Sequence, residues 1–131
     1  MSSGGWSHNL SPEWAASGTA FEEWISGFVG EGTDHLGSNG GTIVRQDLAE
    51  TYEVNTRYTL TIAAGNRSGF TNAGNETTFA LGDSTGASYA SSLIDATTIS
   101  VGSFTDAPAL VFETGTNPAS VGKTIRVTLT A

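Results

Sequence analysis

Few side chains in this chain could move a proton or hold a ligand. There are two histidines, His8 and His35, thirteen carboxylates, five basic residues and no cysteine. A nucleophile–base relay needs an imidazole held by a carboxylate against the nucleophile. Asp34 adjoins His35, but neighbours on an extended chain leave on opposite sides. Both histidines lie in Gly- and Ser-rich sequence and read as solvent-facing loop residues. Glu22-Glu23, Glu31 with Asp34, Asp83, Asp95, Asp106 and Glu113 could supply an acid–base pair, but spacing alone does not show which of them converge. In "EGTDHLGSNGG", Glu31 and Asp34 are oxygen ligands suited to calcium, without the spacing of an EF-hand. The plainer reading is a solvated acidic loop. Trp6, Trp14 and Trp24, with Phe70 and Tyr89 as weaker candidates, could form a stacking platform for sugars. Equally, the tryptophans could anchor their segment to its own body or to a partner.

The elements that must position these groups are strands. The 131 residues fit one domain, long enough to bury a core without a metal or disulfide. Charged residues are 14 %, and Gly, Ser, Thr and Asn carry the polarity, a mix that suits strands and turns rather than helices. The character of the sequence changes near Gly41. Residues 1–40 are expected to form an irregular aromatic N-terminal extension and residues 41–131 a β-sandwich domain. In the extension, Ser11-Pro12-Glu13 resembles a helix start, giving one short helical turn around 12–16. "TAFEEWI" reads as either an N-capped turn or a strand, and "GEGTDHLGSNGG" as loop.

From Gly41 onward the period is two. "GTIVRQDL" predicts a strand over 42–47 ending at a polar break. In "RYTLTIA", Tyr58, Leu60 and Ile62 share one face, and "ETTFALGDS" turns Phe79 and Leu81 inward before a Gly-Asp-Ser turn. "ASYASSLI" is a further strand near 87–94, and "TTISVGSF" places Ile99 and Val101 on one face. "ALVFETG" is nearly continuous apolar sequence, as expected of a central strand covered on both sides. "KTIRVTLTA" sets Ile125, Val127 and Leu129 in, with Thr124, Arg126, Thr128 and Thr130 out. Short strands, frequent turns and no helical period predict an all-β fold, a jelly-roll-like antiparallel sandwich.

"GTIVRQDLAETYEVNTRYTLTIAAGNR" resembles a motif of bacterial jelly-roll domains. The motif runs Gly-X-Ile-X-Gln-X-Leu, a short linker, then Asn-Thr-X-Tyr-X-Leu-X-Val-X-X-Gly-X-Arg. Ile43, Asn55, Thr56, Tyr58, Leu60, Gly65 and Arg67 stand at its positions, and Gln46 and Leu48 follow one residue later than its spacing. It is similar to carbohydrate-binding-module-like domains of PEP-CTERM-type proteins and to the hapalindole-type (Stig) cyclases, over roughly residues 40–130. The motif reads as structural. Tyr58 and Leu60 fill the core, and the tyrosine hydroxyl can reach a backbone acceptor. Gly65-Asn66 allows positive φ, and Arg67 could brace a loop. The cyclase resemblance implies an aspartic acid that protonates an alkene in an aromatic-lined pocket, and no aspartate here sits in a family motif that assigns that role. The families' Phe-Asp-Asn-Val-like closing strand and Asn-X-Ser/Asp-Phe-Glu-like opening are not found in this sequence. The resemblance associates that closing-strand aspartate with calcium, and without it no residue here is assigned as a calcium ligand by the resemblance.

A net charge of −8 with scattered basic residues argues against nucleic acid and anionic membranes as partners. No apolar run is long enough to span a bilayer, and "MSSGGWSHNLSPEW" has no secretory pattern. With no catalytic constellation in view, the residues point to a non-enzymatic assembly protein. Its sharpest form is a capsid-decorating (cement) protein of a tailed bacteriophage, at the virion surface, binding a major capsid protein or itself as a trimer. Trp6, Leu10, Trp14, Phe21, Trp24, Ile25 and Phe28 would bury on the shell. No cofactor is expected, calcium being the metal the acidic loop leaves open. The alternative is a carbohydrate-binding or cell-surface adhesion module with a glycan partner. The third reading is a Stig-cyclase-like enzyme.

Overall fold

A computed structural model describes residues 5–8, 15–17, 20–25, 35–38, 42–65, 77–94 and 104–130. All regular elements in these ranges are strands, apart from two single turns of 3-10 helix at Thr114–Thr116 and Pro118–Ser120. The strands are β1 (Gly5–His8), β2 (Ala15–Ser17), β3 (Ala20–Ile25), β4 (His35–Ser38), β5 (Ile43–Thr51), β6 (Arg57–Leu60), β7 (Ala63–Ala64), β8 (Thr77–Asp83), β9 (Ser88–Ile94), β10 (Thr105–Asp106), β11 (Leu110–Glu113) and β12 (Thr124–Thr130).

The main sheet is antiparallel, in the order β2-β5-β12-β8-β9. The period-two sequence of β8 and β12 dictates what it buries. Phe79, Leu81 and Ile125 are buried in one cluster, and Val127 and Leu129 pack against it. Over this face lies a ribbon in which β6 pairs with β11 and β7 with β10. Its inward residues Leu110 and Phe112 are buried, with Tyr58, Leu60 and Ile62 packed beside them. Between the two ladders, Thr61-Ile62 on one strand face Ala107-Pro108-Ala109 on the other, and the Ala107 amide donates to the Ile62 carbonyl at 2.9 Å. Pro108 has no amide hydrogen to give a ladder, so the extra residue falls where pairing is already interrupted. The result is the expected antiparallel β-sandwich.

Several elements depart from the sequence expectation, each for a local reason. The strand expected to stop at Asp47 runs on to Thr51. The polar break is absorbed because Arg126 lies directly across from Asp47 and binds it, Nε to Oδ1 at 2.5 Å and Nη2 to Oδ2 at 3.0 Å. "ALVFETG" is not a strand covered on both sides. Leu110 and Phe112 are buried, but Val111 is 47 % exposed, so the apolar run hides an ordinary alternation. The central strand of the main sheet is instead β12, between β5 and β8. Accordingly its threonines and Arg126 are half-buried rather than out in solvent.

The helical turn expected around 12–16 is not present at its C-terminal end. Ala15–Ser17 is a strand on the edge of the main sheet, with Ala15 opposite Arg45. "AFEEWI" is β3, and within the segment expected to be loop His35–Ser38 pairs with it as β4. With β1 they make a three-stranded sheet, in the order β1-β3-β4. Ladder hydrogen bonds here override a composition that favours turns. Ile99 and Val101, as well as Asn66, Arg67, Phe70 and Asp95, lie outside the described residues.

Candidate functional site

The motif around Asn55 builds a turn that aims a tyrosine into the core. Asn55 sits in the left-handed region at φ 50°, a conformation Asn tolerates better than most side chains. Thr114, itself buried, clamps this turn from the far strand. Its hydroxyl donates to the Glu53 carbonyl at 2.7 Å and accepts the Thr56 amide at 2.9 Å. Its own amide donates to the Thr56 carbonyl at 3.1 Å. The Tyr58 hydroxyl was expected to seek a backbone acceptor. It serves instead as the acceptor for the Glu53 amide, at 2.7 Å.

Tyr52 is the centre of the cluster these contacts support. It is 1 % exposed and tied at three points. Its amide donates to the Lys123 carbonyl at 3.0 Å, and its carbonyl accepts the Gly122 amide at 2.9 Å. Its hydroxyl donates to the Gly82 carbonyl at 2.7 Å. The rings of Tyr58, Tyr89 and Phe112 meet it edge-on at centroid distances of 5.1, 5.4 and 5.3 Å. Tyr89 and Phe112 stack on each other at 5.2 Å. Such offset and edge-to-face pairs are the favoured geometries of aromatic packing. Burial pushes the Tyr52 hydroxyl pKa well above its ordinary value.

Against this cluster stands one carboxylate. Asp83, at the end of β8, is 2 % exposed. It accepts hydrogen bonds from the Thr85 amide at 2.8 Å and the Thr85 hydroxyl at 2.5 Å, from the Tyr89 hydroxyl, and more distantly from the Ala87 amide at 3.4 Å. Hydrogen bonds from Thr85, then from Tyr89, outweigh desolvation and hold its pKa down at about 2. Burial, then the bond to Asp83, pushes Tyr89 up to about 12. At neutral pH this is an anion with hydrogen bonds to both of its oxygens, beside two phenols that keep their protons. Asp83 therefore locks the β8–β9 turn against the aromatic cluster, and in this geometry it is no proton donor.

A linkage follows. The folded chain takes up the Asp83 proton less readily than the unfolded one, whose carboxyl titrates near the ordinary 3.8. Its contribution to stability is complete above that value and is lost as pH falls toward about 2. Melting temperatures recorded from pH 5 to pH 2 are expected to fall more steeply for the natural chain than for Asp83→Asn. Parallel curves for the two would remove Asp83 from the account.

The outer face of the main sheet carries a groove of about 390 Å³, lined by Arg45, Ala80, Gly82, Ser88, Arg126 and Thr128 among others. Asp47 already occupies the Arg126 guanidinium, and that bond lowers the Asp47 pKa, with the charges of Arg126 and Arg45 adding to it. Glu113 bonds Arg57 at the surface, with Nη2 to Oε1 at 2.7 Å. Among the described residues no three of His, Cys, Asp and Glu come together as a metal site. Glu31 and Asp34 lie outside them.

The anchor residues read from the sequence divide in two. Leu10, Trp14 and Phe28 lie outside the described residues. The others are strand positions of the small sheet: Trp6 opposite Trp24, Ile25 opposite Gly5 and Phe21 opposite Gly37. His8 and His35, expected in loops, are strand residues too, opposite Glu22 and Glu23 respectively. Tyr89, a candidate for an exposed sugar platform, is half-buried in the core cluster. Sequence reasoning passed over Tyr52, which it took for linker. The alternating row of Val44, Gln46 and Leu48 did not lead to it, because the next even position, Glu50, is an exposed carboxylate.

Fold and site together define a small antiparallel β-sandwich whose interior is built around a knot of aromatic rings and one ionised aspartate. The model of one family, HpiC1-like, described as HpiC1 cyclase, matches residues 2–131, and the chain belongs to that family. No curated protein matches the chain. The match overturns the expectation of a non-enzymatic capsid-decorating protein, and with it the carbohydrate-binding or adhesion alternative. Of the readings drawn from the residues, the Stig cyclase resemblance is the one it supports. The cause of the error is physical. Ring closure started by a proton needs one acid and an apolar cavity, so it leaves no spaced constellation in the sequence. The missing relay was wrongly taken as a missing activity.

Proposed function

We propose that this protein is a cyclase that closes rings in an alkene-bearing substrate by delivering a proton inside an aromatic-lined pocket. The family match over residues 2–131 carries this reading, because it takes in the aromatic N-terminal strands as well as the sandwich. The step balances as an isomerisation. A proton adds to a trisubstituted alkene, the tertiary cation is captured by a second π bond, and a proton is lost to a base. The protein's share is to exclude water, to present ring faces to the cation, and to hold a donor and an acceptor for the proton. A sandwich that already packs Tyr52, Tyr58, Tyr89 and Phe112 around one point has the rigid frame such a pocket needs.

The test uses the full chain with geranylbenzene and related geranyl-bearing arenes in D2O, with product isomers separated and weighed by mass spectrometry. The expected result is ring-closed isomer containing one carbon-bound deuterium, formed faster than in a heat-denatured control. No isomer above that control across the panel would end the cyclase reading.

A further inference from the structure

The chain has only two histidines, and the backbone register sets each of them directly across from a glutamate of the Glu22-Glu23 pair. In the β1–β3 ladder His8 faces Glu22, and two residues along Trp6 faces Trp24. In the β3–β4 ladder Leu36 faces Glu22 and His35 faces Glu23. Positions along a strand alternate between the two faces of a sheet. His8, Glu22, Trp6 and Trp24 are therefore placed on one face, and Glu23 and His35 on the other. Cross-strand pairs of opposite charge stabilise a sheet modestly wherever they occur, and that bland role suits both rows equally well. What sets the Glu22 row apart is the tryptophan pair one step along the same face. An acid, a base and two large aromatic residues occupy four adjoining positions of a three-stranded sheet.

We propose that Glu22 and His8 are the proton donor and acceptor of the cyclisation, and that Trp6 and Trp24 form the aromatic face over which the cation develops. This rests on the cyclase reading above and adds its residues. It also fits the state of Asp83, the buried carboxylate, whose hydrogen bonds keep it ionised. The proton balance closes within the pair. Glu22 in its carboxylic acid form gives its proton to the terminal alkene carbon. The tertiary cation is attacked by the internal alkene and then by the arene. Neutral His8 takes the proton that the last cation sheds, and it passes back to the Glu22 carboxylate across the ladder. No oxidant or second substrate enters. An apolar substrate lying on the face displaces water, which favours the neutral acid and base over their charge-separated form. Positioned acid–base groups contribute about 10²–10⁴-fold to such steps.

Two arms test this with the full chain. In the first, deuterium incorporation into geranylbenzene products is measured for the natural chain, Glu22→Gln, Glu22→Asp and Glu23→Gln. The expected result is a loss of about a hundredfold or more in Glu22→Gln, partial return in Glu22→Asp, and near-natural turnover in Glu23→Gln, which makes the same charge change on the other face. An active natural chain with Glu22→Gln within threefold of it would overturn the assignment and leave the cyclase reading standing. A natural chain inactive throughout the panel would overturn both. The second arm needs no variant to fold. The terminal epoxide of geranylbenzene, opened by the same acid, is attacked by a neighbouring nucleophile, giving an adduct heavier by the whole epoxide. Tandem mass spectrometry should locate it as an ester on Glu22 or an alkylated His8. An adduct on Glu23 alone, or none in a chain that cyclises geranylbenzene, would sink the proposal.

Discussion

Gly82→Ala is expected to destabilise the protein by about 3 kcal/mol or more, a large loss for the addition of one methyl group. A Cβ on residue 82 would lie 1.9 Å from the Ala87 carbonyl oxygen and 3.0 Å from its carbon. Both are backbone atoms, so no side chain can swing aside. The same carbonyl accepts the Asp83 amide at 2.9 Å, and the pairing of β8 with β9 shifts register between Leu81 and Gly82. Making room would open the end of the β8–β9 hairpin. It would also move the Gly82 carbonyl that receives the Tyr52 hydroxyl and would loosen the turn that hydrogen-bonds Asp83. Urea unfolding followed by tyrosine and tryptophan fluorescence would show a lower midpoint. A midpoint unchanged within error would mean that the close approach of the two strands is not what holds this end of the sandwich.

Phe79→Ala should cost about as much or more, roughly 3–5 kcal/mol, through lost burial and a cavity that close packing cannot collapse. Phe79 is 0 % exposed, and its strand β8 is flanked by β12 and β9. Ordinary domains hold only about 5–15 kcal/mol in all, so this single change would bring the protein near its unfolding threshold. Val111→Ala gives the contrast. Val111 is also a strand residue in an apolar run, but it is 47 % exposed, and its truncation should fall within about 0.5 kcal/mol. Thermal melts of the two variants side by side decide it. Similar shifts would show that the ribbon of β6 and β11 is not packed over the sheet as described.

The two changes divide what could be read from what could not. That Phe79, Leu81 and Ile125 point inward follows from alternation alone, since a strand has two faces and only one can be apolar without exposing both. The same rule erred on "ALVFETG", because a short continuous apolar run looks the same whether one face or both are covered. Gly82 looked like any glycine in a turn. Its necessity comes from the close approach of Ala87, a contact that the hairpin creates. Asp83 was one carboxylate among several until Thr85, Ala87 and Tyr89 were seen to converge on it. Tyr52 fell in apparent linker because nothing local marks a tyrosine whose amide, carbonyl and hydroxyl are each bound by residues far along the chain.

By itself, the sequence determined an all-β chain, the inward rows of its main strands, and the likeness to the Stig cyclases, because side-chain alternation and turn chemistry are local and survive being read one residue at a time. Tertiary structure alone decided that β12 is the central strand of the main sheet, that Asp83 is an ionised lock, and that each histidine stands across from a glutamate. These depend on register between strands distant in sequence, and register is set by which faces must be buried together rather than by any short run of residues.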